Sequence, residues 1–232
     1  MPKPSSRARS SRPVGRAKIP RTTGKYGGLD VHERRALRRE RLLTAGLELF
    51  GKRGFASITI GELCTAANVA SRTFYEEFGS RDALLGALYD TIVTRVITAV
   101  YDAVERAGTD PRAVVRAGVE AYVRAITRDP HATRIMLLEV VGVSAAFETT
   151  RRAAMHAFAA RSHEVAARFE AAGRIVPADF EIMSLALTGA ANELAIEWVL
   201  APEKYAPARL ADTLIRLWLG GLRLLDEAAP GS

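Results

Sequence analysis

From about residue 31 onward, apolar side chains recur every three or four positions, and no stretch alternates as a half-buried strand would. The pattern predicts an all-α chain of about nine helices. A first helix over 31–52 carries Leu43, Leu47 and Phe50 at i, i+4, i+7, and Gly51 and Gly54 end it. Two short helices follow over 59–78, then a long one over 80–107. Asp110-Pro111 and Asp129-Pro130 each open another, with an Asp cap ahead of proline at the first helical position. The chain is expected to bend around Gly142 to Ser144 and to continue as helices over 146–172, from Pro177 to about 200, and from Pro207 to about 225.

The most specific stretch is the short pair. Thr59 stands three residues before Glu62, the reciprocal capping-box spacing, and Leu63, Ala66 and Ala67 give that helix an inward stripe. A turn falls at Asn68-Val69-Ala70, and the next helix places Phe74 and Phe78 on one face. Gly79-Ser80 stops it. Helices this short bury little by themselves, so the unit must lean on a neighbour and turn its other face outward. That is the plan of a DNA-reading helix-turn-helix. At about 100° per residue, Arg72, Thr73 and Glu76 point away from the phenylalanines, and Ser71 and Tyr75 lie to one side. Arg72 can fork onto guanine O6 and N7, the Thr73 methyl can meet a thymine methyl, and Glu76 can accept from cytosine N4.

Over 33–88 the chain resembles the TetR family of bacterial transcriptional regulators. The resemblance rests on Phe55, Thr59-Ile60, Leu63, Ala67, Val69, Thr73-Phe74-Tyr75, Phe78 and the run from Gly79 to Leu85. It implies base contacts from Ser71, Arg72 and Thr73, and phosphate contacts from Thr59, Tyr75 and Arg81. It also implies a bacterial, cytoplasmic, nucleoid-associated repressor released from a double-stranded DNA operator by a small-molecule effector. Two departures stand out. Ala70 occupies a position where many relatives carry a serine cap, leaving the helix start weaker by about 1 kcal/mol unless Ser71 takes over. Glu76 and Glu77 bring two carboxylates towards phosphates. Either Glu76 reads a base, or it pairs with Arg72 at i, i+4 and Glu77 is a solvated surface charge. The alternative function is a helical small-molecule-binding protein whose motif no longer reads DNA.

Charge adds a third region. Residues 1–29 hold eight of the 33 Lys and Arg and no acid, leaving 25 basic against 26 acidic residues in the remainder. Rich in Ser, Pro, Gly and Arg, this tail is expected to be disordered, either as a phosphate-tracking arm or as an inert extension. The expected division is a tail over 1–29, a DNA-binding domain over 30–81, and an effector and dimerisation domain over 82–228. The single cysteine, Cys64, excludes an intramolecular disulfide and reads as a small packed residue. No segment is expected to span a membrane. His32, His131, His156 and His163 make no metal-ligand spacing with cysteine or a helical HExxH. His156 and His163, two turns apart on one helix, read either as a metal pair or as surface residues. Phosphate loops and nucleophile elbows are lacking, so neither an enzyme nor a cofactor is expected.

One short reading helix covers few base pairs, so a two-fold homodimer is expected. Its candidate interface, set in the last two helices as half of a four-helix bundle, is Ile182, Ala186, Gly189, Ala190, Leu214, Leu217, Trp218 and Gly221. The middle helices carry aromatic and methionine residues that serve either as plain core or as the wall of an effector pocket. Tyr101, Tyr122, Met136, Met155, Phe158 and Met183 are the candidates, with Asn192 and Glu193 as polar groups to orient a hydrophobic ligand.

Overall fold

The computed structural model describes residues 30–222, which hold nine α-helices and no β-strand. The basic tail, and the end of the last helix as expected from the sequence, lie outside the described residues.

Each helix starts where a side chain can satisfy the free amides of its first turn. Asp30 opens α1 (Val31–Arg53) in a capping box with Glu33. Gly54, at φ 84°, ends it, and a 3₁₀ turn (Phe55–Ser57) leads to α2 (Ile60–Ala67). There the expected box forms: Glu62 N–H donates to Thr59 Oγ1 at 3.2 Å, and Thr59 N–H to Glu62 Oε2 at 2.8 Å. Asn68 closes α2 in the left-handed region, and α3 (Ser71–Glu77) follows. Neither Ala70 nor Ser71 supplies a side-chain cap to α3, so its start is held by tertiary contacts.

Ser80 caps α4 (Arg81–Arg106), Asp110 caps α5 (Pro111–Arg128), and Asp129 caps α6 (Pro130–Arg134). This last helix is only five residues long and widens into a π-helical turn, Ile135–Glu139. After the bend, α7 (Ala145–Ala171) is capped by Ser144. The next helix, α8 (Phe180–Leu200), starts three residues beyond the expected Pro177, because Asp179 provides the cap to Ile182 N–H and the preceding chain dips to bury Ile175. The last, α9, spans Pro207–Leu222.

The core is continuous from the motif into the body, with α4 shared between them. Leu84, Leu85 and Leu88 of α4 pack beneath α1, where Gly46 lets them approach: a Cβ there would lie 3.0 Å from Leu88 Cδ1. The buried stripe of α1 is Leu42, Ala45, Gly46 and Phe50, with Leu43 and Leu47 on its flank. In α2, Cys64 is buried and Ala66 exposed, a small rotation from the expected stripe. Contrary to expectation, α4 is long and apolar enough by length and composition to cross a membrane. Its apolar residues are those that fill the core and line the cavity described next.

Candidate nucleic-acid interface and effector cavity

Phe74 is fully buried, with its ring edge-on to Tyr75 and 6.2 Å from Phe78, so α3 is pinned through one face. Ser71, Arg72, Tyr75 and Glu76 are exposed, and Thr73, expected on the outward face, is half-buried. Arg72, at 89% side-chain exposure, meets Glu76 with Nε–Oε1 at 2.8 Å. Glu76 is therefore the partner of Arg72 in the structure. The pair occupies Nε and leaves the terminal nitrogens as the outward fork.

Glu77 is not the solvated charge expected. Its side chain is only 3% exposed, and Arg35 Nε lies 3.1 Å from it and Arg38 Nη2 3.9 Å. Arg39 donates to the Glu77 carbonyl at 3.1 Å and lies over the Phe78 ring. Part of the arginine run of α1 is thus a clamp on the end of α3. A carboxylate withdrawn from water needs such partners, since alone it would be costly.

Arg81 differs as well. Half-buried, it donates to the Phe55 and Ile58 carbonyls and sits over the Phe55 ring, which commits it to bracing the loop before α2 rather than to a phosphate. Thr59 stays exposed while capping α2. Glu62, which that cap requires, is held near pKa 2 by donation from the Thr59 amide and hydroxyl and by Arg53 at 2.7 Å.

Behind the motif, α4, α5, α7, α8 and α9 surround an apolar cavity of about 180 Å³ that opens to solvent. Helices α4 and α7 run parallel along it: Gly86 faces Phe147, the Tyr101 ring meets that of Phe158 at 5.5 Å, and Arg168 reaches Glu105. The wall of α4 extends from Tyr89 to Val104, about 22 Å at the helical rise. Of the expected pocket residues, Tyr101, Tyr122, Met136, Met155, Phe158 and Asn192 line it. Two do not. Met183 packs across the seam to Gly221, where a Cβ would lie 2.9 Å from its sulfur, and Glu193 is exposed on the outer side of α8.

The buried Tyr122 phenol, its pKa pushed up by burial, donates to the Ala191 carbonyl at 3.2 Å and lies 3.4 Å from Asn192 Oδ1. That contact turns Asn192 Oδ1 towards the tyrosine. Tyr101 donates to the Phe158 carbonyl at 3.0 Å.

The expected dimer face also splits. Leu214 is buried and lines the cavity, Trp218 lines it while half-buried, and the half-buried Gly221 faces Met183. Ile182, at 67% exposure, Ala186 and Leu217 are exposed, Gly189 and Ala190 are half-buried, and Leu200 extends the same stripe of α8. A Cβ added at Gly189 or Gly220 would meet nothing, so another backbone can approach closely there.

A junction that sequence reasoning missed joins cavity and motif. Met136 and Leu137 of the π turn line the cavity, and Glu139 at its end accepts from Phe55 N–H at 2.7 Å and from Arg134 at 2.8 Å. Beside it, α1 lies so close to α6 that a Cβ on Gly51 would be 2.3 Å from His131 Cβ. An acid between Leu138 and Val140 marks an interruption in an apolar run, but nothing in the sequence names its partner.

Comparison with known proteins agrees with this architecture. Residues 42–88 match the model of the bacterial regulatory proteins of the tetR family. The HTH-type transcriptional regulator EthR of Mycolicibacterium smegmatis is 29% identical over 186 residues, covering 78% of this chain and 84% of its own. The fold is that of the fatty acid degradation regulator FadR from Bacillus halodurans, with TM-score 0.71 and 18% identity over 81% of this chain and 97% of that one. FadR from Bacillus subtilis, solved in complex with stearoyl-CoA, gives TM-score 0.71 and 15% identity over 79% of this chain and 99% of its own. Residues 42–88 thus belong with the bacterial regulatory proteins of the tetR family, and the chain as a whole shares the fold of TetR-like regulators.

Proposed function

We propose that this regulator binds a two-fold operator as a homodimer, represses from it, and leaves it when a long apolar effector fills the cavity. The observation that carries the reading is that Phe74 is fully buried while Ser71, Arg72, Tyr75 and Glu76 of the same short helix are exposed. In this reading Arg72, steadied through Nε by Glu76, presents its end-on fork to a guanine, and Ser71 and Thr73 complete the base-reading edge. Thr59 and Tyr75 touch phosphates.

Dimerisation uses the exposed stripe of α8 (Ile182, Ala186, Gly189, Leu200) with Leu217 and Gly220 of α9. Apolar groups left in water at helical spacing favour packing against a second copy. The effector signal travels through the π turn, because Glu139 ties the cavity wall to the loop that sets α2. An effector shifts the balance only by its differential affinity for the two arrangements, and cavity filling supplies that difference. A bacterial protein that reads DNA in this way works in the cytoplasm, where its operator lies.

A titration by fluorescence anisotropy, using fragments flanking its own gene, tests the reading. Arg72→Ala is expected to cost about 1–3 kcal/mol of specific binding and to relax preference at one base pair. Absence of any sequence-dependent binding by the wild-type chain at low salt would overturn it.

A further inference from the structure

The wall of the cavity is apolar along almost its whole length, yet one end is not. Among the described lining residues Arg151 is the one charged side chain, set in the stripe of α7 that continues through Met155 and Phe158. One turn before it on α7, Phe147 faces Gly86 of α4, so Arg151 lies at the level of Tyr89, at the end nearest the motif. The opposite end, at Val104, Phe169 and Leu222, is hydrocarbon and ring. The cavity is therefore polarised: a cation at one end, about 22 Å of apolar wall, and an apolar floor.

A guanidinium beside an apolar space needs a counter-charge. Here Glu148, one turn earlier on α7, supplies it through a two-pronged contact, Nε to Oε2 at 3.0 Å and Nη2 to Oε1 at 2.7 Å. The two partners differ in position. Arg151 is 30% exposed and lines the cavity, whereas Glu148 is 42% exposed and does not. Another carboxylate arriving from the cavity side can take the same fork, while Glu148 turns into water with its charge solvated. No hydrogen bond is lost in the exchange, and the planar fork suits the incoming group as well as the outgoing one.

We propose that Arg151 anchors the anionic head of the effector, which is a long acyl chain ending in a negatively charged group, and that Glu148 holds this site until the ligand displaces it. The proposal rests on the effector-cavity reading above and specifies the ligand's chemistry. The charge can come from a free carboxylate or from the phosphates of an acyl thioester reaching in from the mouth. Both are anions on an apolar tail. Tyr89, beside Arg151, offers a neutral hydroxyl to the same head group.

The test uses the full chain and its own fluorescence, since Trp218 lines the cavity. Hexadecanoate, methyl hexadecanoate and hexadecanoyl-CoA are titrated below their micellar concentrations into wild type, Arg151→Gln, Arg151→Lys and Glu148→Gln, with folding checked by circular dichroism. An anionic ligand is expected to bind wild type about tenfold more tightly than the neutral methyl ester. Arg151→Gln abolishes that preference without weakening the ester, Arg151→Lys keeps part of it, and Glu148→Gln strengthens anion binding several-fold by removing the internal competitor. Preference for the free acid identifies a carboxylate, and preference for the thioester alone identifies its phosphates. Equal binding of ester and anions by wild type, an anion preference that survives Arg151→Gln, or indifference to Glu148→Gln would overturn the anchor while leaving the cavity reading intact. If none of the three compounds perturbs Trp218, the cavity reading itself fails.

Discussion

The motif and the cavity share helix α4 but are organised in opposite ways. In the motif, local contacts (a capping box spanning three residues, a ring pair four residues apart, a left-handed Asn68) are completed by the clamp of α1 on the end of α3. The cavity is made by long helices whose apolar stripes face one another without meeting. One region is held in place because its polar groups are satisfied by other groups of the chain. The other can respond because part of its apolar surface has no partner until a ligand arrives. The comparison also explains the neighbouring glutamates of α3. Glu76 belongs to the outward face and is paired weakly in water, while Glu77 belongs to the joint with α1 and is buried among arginines.

The largest test of this contrast is Phe74→Ala. Removing a fully buried ring should cost about 3–5 kcal/mol in the motif, measured by denaturant unfolding, and abolish operator binding. Effector binding to the separately built cavity should persist, and loss of both together would show that the two regions are not distinct. Next is Glu77→Gln, which breaks the ion pairs to Arg35 and Arg38 in a nearly buried setting. A loss of about 1–3 kcal/mol is expected, with weaker DNA binding and unchanged effector affinity. A change within about 0.5 kcal/mol would return Glu77 to the status of a surface charge.

Coupling is addressed by Glu139→Ala, which frees Phe55 N–H and Arg134 together. Effector affinity should stay within about twofold, while the effector-induced loss of DNA affinity shrinks by about tenfold, or 1.4 kcal/mol of coupling. An unaltered response would place the link elsewhere. The smallest effect is pH-dependent. Glu62 has its pKa lowered from 4.5 to about 2 by the Thr59 amide, so its contribution is fully present above about 4.5 and fades as pH falls towards 2. The stability gap between wild type and Glu62→Gln should therefore narrow over that interval in acid-unfolding curves, and a constant gap would mean that the carboxylate does not act through its charge.

The sequence was most informative where one residue acts on another a few positions away. Thr59 with Glu62, Asp110 with Pro111 and Phe74 with Phe78 each carry their structural meaning within one turn of chain. Tyr101, Tyr122 and Asn192 could be proposed for the cavity because aromatic and amide groups on apolar helices are unusual enough to notice. Their neighbours Val93, Val96 and Val100 could not, since a stripe of valines reads the same whether it meets another helix or an empty space. Leu214 and Trp218 were assigned to the dimer face, and Met183 to the cavity, for a related reason. A helix with apolar residues around much of its circumference does not declare which side faces inward.

What the sequence by itself determined was the helical class, nearly every helix start, and the outward placing of Arg72 and Glu76 on α3, because capping and 3.6-residue periodicity are local properties. Only the tertiary structure decided that Glu77 is clamped by α1, that Arg81 is spent on backbone carbonyls, that Glu139 reaches the loop before the motif, and that Arg151 borders the cavity. Those facts depend on how distant helices are placed against each other, and the burial that fixes that placement is non-directional, so residue spacing alone does not specify it.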